Sequence, residues 1–534
     1  MSGDIVRVML ADSISSVSTE MLEAAGGFEV HDRRGISAED LVKEIKDYDV
    51  LIIRSRTKVT AQTLEAASRL KLIGRAGIGI DNIDLAEATR RGVVVMNAPR
   101  GNSETTAELA IAHMFSVARH LPNATESMRA GKWEKKKFSG RQIAGSTLGV
   151  VGMGNIGQIV ASKGLKLGMK VLGFDPFVTG DKMRSLGIEH HPDLNTLMAA
   201  SDFVTIHTPI TPKTRHLIST EQLSHMKSDS YLINCARGGV VDEKALYTAL
   251  SEGTLAGAGF DVFEEEPVVD NPLLSLPNVF TTPHIGAATK EAQLKVAIEL
   301  VEQIIDYFVR NVVRNAVNLP RMQEKEQEEL WPFVMLAKTV GNFAGHFHSG
   351  TIEEITVSYQ GSQVSEENSK MVTNAGLKGV LSAAMESPIT LVNASMVATD
   401  RGLKIREEFN PAQADLSRTV SIRVSGDAGS HEVQGAVFGE DDIRIVRLNG
   451  YRLEAVPTGA LLITQNEDVP GIIGKVGTHL GAANINISRM QVSLNRSSSN
   501  AAMAVWSLDE AIPDSVLKSI ADLDHIESCK QISL

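Results

Sequence analysis

The chain has 534 residues, of which 43% are hydrophobic and 22% charged, enough for two to four domains with separate cores and too apolar for extended disorder. A formal net charge of −12 excludes a general nucleic-acid binder, which concentrates Lys and Arg against phosphates, so any anion site has to be a local basic cluster. The only cysteines, Cys235 and Cys529, stand far apart and in no metal-ligand spacing, which suits a reducing compartment and predicts neither a disulfide framework nor a metal site.

The first residues, MSGDIVRVMLADS, do not have the charged and apolar regions of a signal peptide, and no apolar run approaches the ~20 residues that span a bilayer. A cytoplasmic location is expected. From Ile5 to about Asn97, short β-rich runs (IVRVML, DVLIIRS, LKLIGRAG, VVVMNAP) alternate with helical stretches such as AEDLVKEIKDY, the rhythm of a parallel α/β sheet. A long helix is expected from about Glu104 to Leu121. A second α/β series starts with TLGVVGMGNIG at Thr147 and continues through KVLGFDP, DFVTIHTP, SYLINCARG, GAGFDVF and VFTTPH; such apolar strands belong in a sheet covered on both faces. Another helix follows from about Glu291 to Val309. The charged stretch NAVNLPRMQEKEQEEL reads as a linker, with a boundary near Pro320. Beyond it lies a mixed α/β region to about Pro457. The tail then orders itself as strand, helix, strand, strand, helix, strand, a ferredoxin-like pattern.

Gly152, Gly154 and Gly157 form GMGNIG between an apolar strand and a helical run. In that context the first glycine permits a tight turn, the second lets the backbone approach a pyrophosphate, and the third packs helix on strand. The next strand ends at Asp175, placed to bind the adenine ribose and to repel a 2′-phosphate, so NAD is expected rather than NADP. The segments NCARGGVVDE, DVFEEEP and TTPHIGAAT follow strands of the same series, where ligands of open α/β sheets bind. Oxidation of a 2-hydroxy acid needs a cation for the carboxylate, a base for the hydroxyl proton and a partner for that base. Arg237, His284 and one of Glu264, Glu265 and Glu266 supply those chemistries; the residues alone leave the choice among the three glutamates open.

From Val6 to Pro320 the chain resembles the D-isomer-specific 2-hydroxy-acid dehydrogenase family, with the glycine fingerprint, the ARGG motif, the glutamate before proline and the PH motif in the family's order. The resemblance assigns Arg237 to carboxylate binding, His284 to acid/base catalysis and Glu266 to hydrogen bonding of the imidazole. It implies further NAD contacts at Ile78, Asn155, Ile156, Thr208, Cys235, Asp261 and Gly286. It also implies a Rossmann-type NAD-binding domain (99–284) inserted in a flavodoxin-like substrate domain (1–98 and 285–320).

A closer resemblance is to the branch of this family that oxidises 3-phosphoglycerate, through IIRSRTKVT, GRAGIGIDNID and APRGNSETTAELA. On that resemblance Arg54, Ser55, Arg56 and Arg75 hold the phosphate-bearing substrate, with Asn102 at the cleft and the amides around Ala76 and Gly77 receiving the carboxylate. Charge-assisted hydrogen bonds reward such a cluster. Residues 321–456 look like the α+β intervening domain of long members of the branch. Residues 457–534 resemble the ACT domain, an amino-acid sensor, with Asn466, Asp468 and Asn486 at the positions that contact L-serine. A homodimer or homotetramer is the family habit, and Lys135, Lys136 and Lys137 can add a cation across a dimer interface. Two rivals are a glyoxylate or hydroxypyruvate reductase of the same family and an NAD-sensing corepressor-like binding protein.

Overall fold

The computed structural model describes residues 5–310, 312–320, 324–385, 389–410, 418–439, 442–494 and 501–534. Strands β1 (Val6–Leu10), β2 (Phe28–Asp32), β3 (Val50–Ile53), β4 (Leu72–Arg75) and β5 (Val94–Asn97) form a sheet in the order β2-β1-β3-β4-β5. Every pair is parallel, the flavodoxin-like arrangement. The helix Lys290–Ile305 returns from far along the chain to close one face, burying Val296, Leu300, Val301 and Ile304 against Leu72, Val94 and Met96.

The second sheet contains β6 (Thr147–Val151), β7 (Lys170–Phe174), β8 (Glu189–His190), β9 (Phe203–Ile206), β10 (Tyr231–Asn234), β11 (Gly257–Phe260) and β12 (Val279–Thr281). Its order, β12-β11-β10-β9-β6-β7-β8, is the doubly wound Rossmann order with one added strand. Helices cover both faces, so two separate cores flank it. The helix Ser103–Arg119 crosses from the first sheet to the second and buries Ala107, Ala110, Met114 and Val117 against Leu148 and Ile233. Both long helices thus lie within a few residues of their expected bounds.

Among the described residues, the stretch read as a linker is built into the elements on either side of it. Residues 315–318 are stitched to the first sheet: Val317 N donates to Val95 O at 2.7 Å and the Asn318 side chain bonds Val95 N and Val93 O. Residues 324–330 begin a 24-residue helix, Glu324–Phe347; residues 321–323 lie outside the described residues. Charge density suggested a solvated linker, but the apolar residues later in this helix find a core, and packing carries its charged first turns along.

That core is a six-stranded sheet of β13 (Ile352–Gln360), β14 (Lys404–Asn410), β15 (Thr419–Gly426), β16 (Gly429–Phe438), β17 (Asp442–Leu448) and β18 (Tyr451–Ala455), ordered β14-β13-β15-β16-β17-β18. The tail sheet contains β19 (Ala460–Glu467), β20 (Ile487–Leu494), β21 (Ala501–Leu508) and β22 (Ile526–Ser533), ordered β20-β21-β19-β22 and antiparallel throughout. With helices Ile472–Ala482 and Asp514–Ala521 it has the expected strand, helix, strand, strand, helix, strand order. One face is sealed by those helices, while Leu461, Ile463, Met503, Val505 and Ile532 on the other join the core of the six-stranded unit. Alternation along β19 and β21 therefore serves two cores at once. No helix among the described residues is long and apolar enough to cross a membrane.

Candidate active site

Strand β6 runs straight into the glycine loop. Gly152 has φ +93°, a left-handed conformation that favours glycine. A Cβ on Gly157 would lie 1.9 Å from the Gly152 carbonyl oxygen, whereas one on Gly154 meets nothing within 4 Å. The loop is thus closed where helix meets strand and open at the start of helix Asn155–Lys166, where free amides and the helix dipole favour phosphate. Asp175 turns back onto this loop: Met153 N and Phe177 N each donate to its carboxylate at 2.8 Å. Thr208 flanks Gly152, and its Oγ1 is buried without a protein partner. Asn155 leans on Pro99 O at 3.4 Å and Ile156 is half-buried. These features fit a dinucleotide. Cys235 is buried, and burial pushes its thiol well above the ordinary range, the setting of a structural cysteine.

The turn after β12 is built on a buried aspartate. Asp261 accepts from Thr282 Oγ1 at 2.5 Å, Ile285 N at 2.8 Å and Gly286 N at 2.9 Å, while its carbonyl takes His284 N at 2.9 Å. Thr282 Oγ1 also meets His113 Nε2 at 3.0 Å. These bonds hold His284 at φ +52°, a strained conformation for a non-glycine residue that surrounding structure must enforce. His284 Nδ1 stands 2.6 Å from Glu266 Oε2. Burial raises the Glu266 carboxyl, but the His284 bond, the Phe263 amide and the charges of His284 and Arg237 outweigh it and hold it below the ordinary range. Of the three glutamates, Glu266 reaches the imidazole; Glu264 instead pairs with His216 at 3.0 Å.

Across the cleft, Arg237 from the loop after β10 extends its Nε to Asp81 Oδ2 at 3.0 Å and its Nη1 to Ala236 O at 2.7 Å. Arg75 lies close by with its Nε buried and unpartnered. Burial first, then the charges of Arg237 and Arg54, push it down to about 10, so it stays cationic at neutral pH. Arg54 is anchored through its amide to Asp12 Oδ2 at 2.6 Å, and Asn82 Nδ2 grips Arg54 O and Thr57 O at 2.7 and 2.5 Å. Ser55 is exposed at the loop tip. Asn102, at the start of helix Ser103–Arg119, is buried with an unpartnered Oδ1.

Several expected positions have protein partners of their own. Arg56 pairs with buried Asp12 at 3.3 Å. The amides of Ala76 and Gly77 donate to Ile53 O and Arg75 O at 2.8 and 2.9 Å, the first because the chain stays in sheet register one residue past β4 and the second in a tight local turn, so both amides are taken up within the protein. The Ile78 carbonyl accepts from Asn97 Nδ2. In the basic run, Lys137 pairs with Glu134 at 2.7 Å. Asn466, Asp468 and Asn486 are not brought together: Asn466 pairs in register with Ala502, whereas Ile487, next to Asn486, pairs with Leu508 at the other end of β21. Six residues of strand, 508 minus 502, put about 20 Å between them. Asn486 is instead 2.8 Å from Asp509. Sequence reasoning missed Asp12, Asp81, Asn82, His113 and Thr282; for Asp81 the segment GIDNID carries a signal, an acid near a cluster of arginines.

Residues 111–286 match the model of the D-isomer specific 2-hydroxyacid dehydrogenase NAD-binding domain, and residues 329–449 that of the D-3-phosphoglycerate dehydrogenase intervening domain. The chain is 39% identical to the D-3-phosphoglycerate dehydrogenase of Synechocystis sp., over 99% of this chain and 95% of that one. It is 40% identical to that of Archaeoglobus fulgidus, over 99% and 100%. The chain belongs to the D-3-phosphoglycerate dehydrogenase family. A solved glyoxylate reductase from Paecilomyes thermophila, 27% identical, covers 58% of the chain and 98% of its own length with a TM-score of 0.55. The structural likeness to that reductase thus spans little more than half of this chain, while the likeness to D-3-phosphoglycerate dehydrogenases runs through all four sheets.

Proposed function

We propose that the protein oxidises 3-phospho-D-glycerate to 3-phosphohydroxypyruvate with NAD, the first step of L-serine biosynthesis. The observation that carries the reading is the cleft in which the His284–Glu266 pair faces Arg237 and Arg75 beside the glycine loop. Gly152, Gly154, Gly157 and Asp175 hold the dinucleotide, with Ile78, Asn155, Ile156, Thr208, Cys235, Asp261 and Gly286 around it; when bound, the cofactor supplies the hydride acceptor at the nicotinamide C4. Arg237 fixes the substrate carboxylate. Arg54, Ser55, Arg75 and Asn102 receive the phosphate end, with Arg56 supporting that loop through Asp12.

Because Glu266 occupies Nδ1 of His284, the ring is held with its proton there and Nε2 is left to accept the hydroxyl proton. His284 takes that proton as the C2 hydrogen leaves with its electron pair, giving the 2-oxo acid; in the reverse direction the imidazolium returns it. Glu266, held below its ordinary range, remains a carboxylate at neutral pH and stabilises the cation formed. Initial rates test the reading. 3-Phosphoglycerate with NAD is expected to react far faster than with NADP, which the Asp175 carboxylate repels, and faster than unphosphorylated glycerate. Equal rates with glycerate remove Arg54 and Arg75 from phosphate binding, and equal rates with NADP remove the argument from Asp175.

The organisation we assign is a substrate domain (1–98 and 285–320), an NAD-binding domain (99–284), an intervening domain (321–456) and an ACT regulatory domain (457–534) that takes L-serine. Since Asn486 lies at the opposite end of the tail sheet from Asn466 and Asp468, one serine touching all three needs two copies of the chain. This supports a homo-oligomer and makes binding depend on assembly. Deleting the tail is a poor test, because its sheet completes the core of the neighbouring unit. Calorimetry on the full-length protein is expected to show serine binding that Asp468→Ala and Asn486→Ala each weaken, and serine is expected to slow the parent enzyme. Inhibition of both variants as strong as that of the parent refutes the effector site.

A further inference from the structure

We infer that Asp81 is a positioning residue for the reaction, a cross-cleft anchor that sets the Arg237 guanidinium against the substrate carboxylate. The inference rests on the dehydrogenase reading and assigns a role to a residue outside the Arg237, Glu266 and His284 set. Asp81 belongs to the loop after β4 of the first sheet and Arg237 to the loop after β10 of the second, 156 residues apart, yet Arg237 Nε meets Asp81 Oδ2 at 3.0 Å. As an ion pair with 57% and 26% exposed side chains, it adds little to stability. What it does is directional. With Nε turned to Asp81 and Nη1 to Ala236 O, two of the five guanidinium donors are fixed, and Nη2 has no hydrogen-bond partner among the described residues.

The same loop makes room for that edge. A Cβ on Gly79 would stand 2.0 Å from Arg237 Nη2 and 2.9 Å from Asp81 Oδ2, so the guanidinium lies against bare backbone and a side chain there would push it out of this position. Asn82, the next residue after Asp81, holds Arg54 O and Thr57 O. Asp81 thus meets the Arg237 cation from the loop after β10 while Asn82 holds the backbone of the Arg54 loop after β3, and the Asp81 charge also offsets the repulsion that Arg237 and Arg54 exert on Arg75.

The test is Asp81→Asn, which keeps shape and an acceptor but removes the charge. Its KM for 3-phosphoglycerate is expected to rise roughly 10–100-fold, the fold-change of one charge-assisted hydrogen bond, with kcat and the NAD dissociation constant near those of the parent and Asp81→Glu recovering part of the loss. Oxalate, a dicarboxylate probe, is expected to bind the NAD-loaded Asp81→Asn protein more weakly than the NAD-loaded parent. An unchanged KM and oxalate affinity overturns the inference, as does a loss of NAD affinity equal to the rise in KM, which assigns Asp81 to packing of the lobes. If the parent itself fails to turn over 3-phosphoglycerate, the functional reading falls, and the oxalate comparison still decides for or against Asp81.

Discussion

His284→Ala is expected to lower turnover by about 10²–10⁴-fold, the usual contribution of a general acid/base, while NAD affinity stays near that of the parent. The imidazole hangs from a turn whose backbone is tied at three points to Asp261, and it carries no cofactor contact in the assignment above. Removing the ring therefore deletes the proton acceptor and leaves the glycine loop intact. The left-handed backbone at this position offers a control. Asparagine tolerates that conformation better than alanine but cannot accept the proton at neutral pH. His284→Asn should lose as much turnover as His284→Ala, separating chemistry from backbone strain. A His284→Ala enzyme within tenfold of the parent at saturating substrate would refute the assignment.

The second large effect belongs to Gly157→Ala. Its new Cβ would lie 1.9 Å from the Gly152 carbonyl oxygen and 3.0 Å from the carbonyl carbon, and both are backbone atoms of a residue held at φ +93°. No flexible side chain can yield, so the helix Asn155–Lys166 has to move away from β6, at a cost of about 1–3 kcal/mol. That movement shifts the amides aimed at the pyrophosphate, and the NAD dissociation constant is expected to rise roughly 10–100-fold as those donors lose their aim. Gly154→Ala isolates the two parts. It has nothing within 4 Å to strike in the protein alone, so its melting temperature should match the parent's while its NAD affinity falls, because the methyl occupies the approach to the phosphates. Melting curves and NAD titrations of both variants check the pair. Equal melting temperatures for Gly157→Ala and the parent would show that the close approach is relaxed in solution.

The glycine loop was legible because its chemistry is local: a tight turn, an open approach and a close packing contact fall within six residues, and each demands glycine for a steric reason. The same holds for the turn that carries His284, whose neighbours Pro283, Ile285 and Gly286 sit beside it in sequence. The residues left three glutamates open and only family likeness singled out Glu266; geometry puts Glu266 at the imidazole and Glu264 at His216. The misread linker had the opposite origin. Charge density reports what a segment offers to solvent, and the run EKEQEEL is charged, yet the helix it opens is held by Leu330, Phe333 and Val334, which are buried in the core it starts.

Determined by the sequence alone, then, were the two parallel α/β units, the dinucleotide loop, the ferredoxin-like order of the tail and the residue types of the reaction, since strand rhythm and short motifs are encoded within a few residues of one another. Only the tertiary structure decided which groups meet across the chain. Asp81 finds Arg237 from 156 residues away, the Ala76 amide turns inward because the sheet register continues past β4, and Asn486 stands a strand's length from Asn466 because β21 runs antiparallel to both its neighbours. Such pairings depend on sheet order and register, which arise from the packing of all the strands together and leave no mark in any one segment.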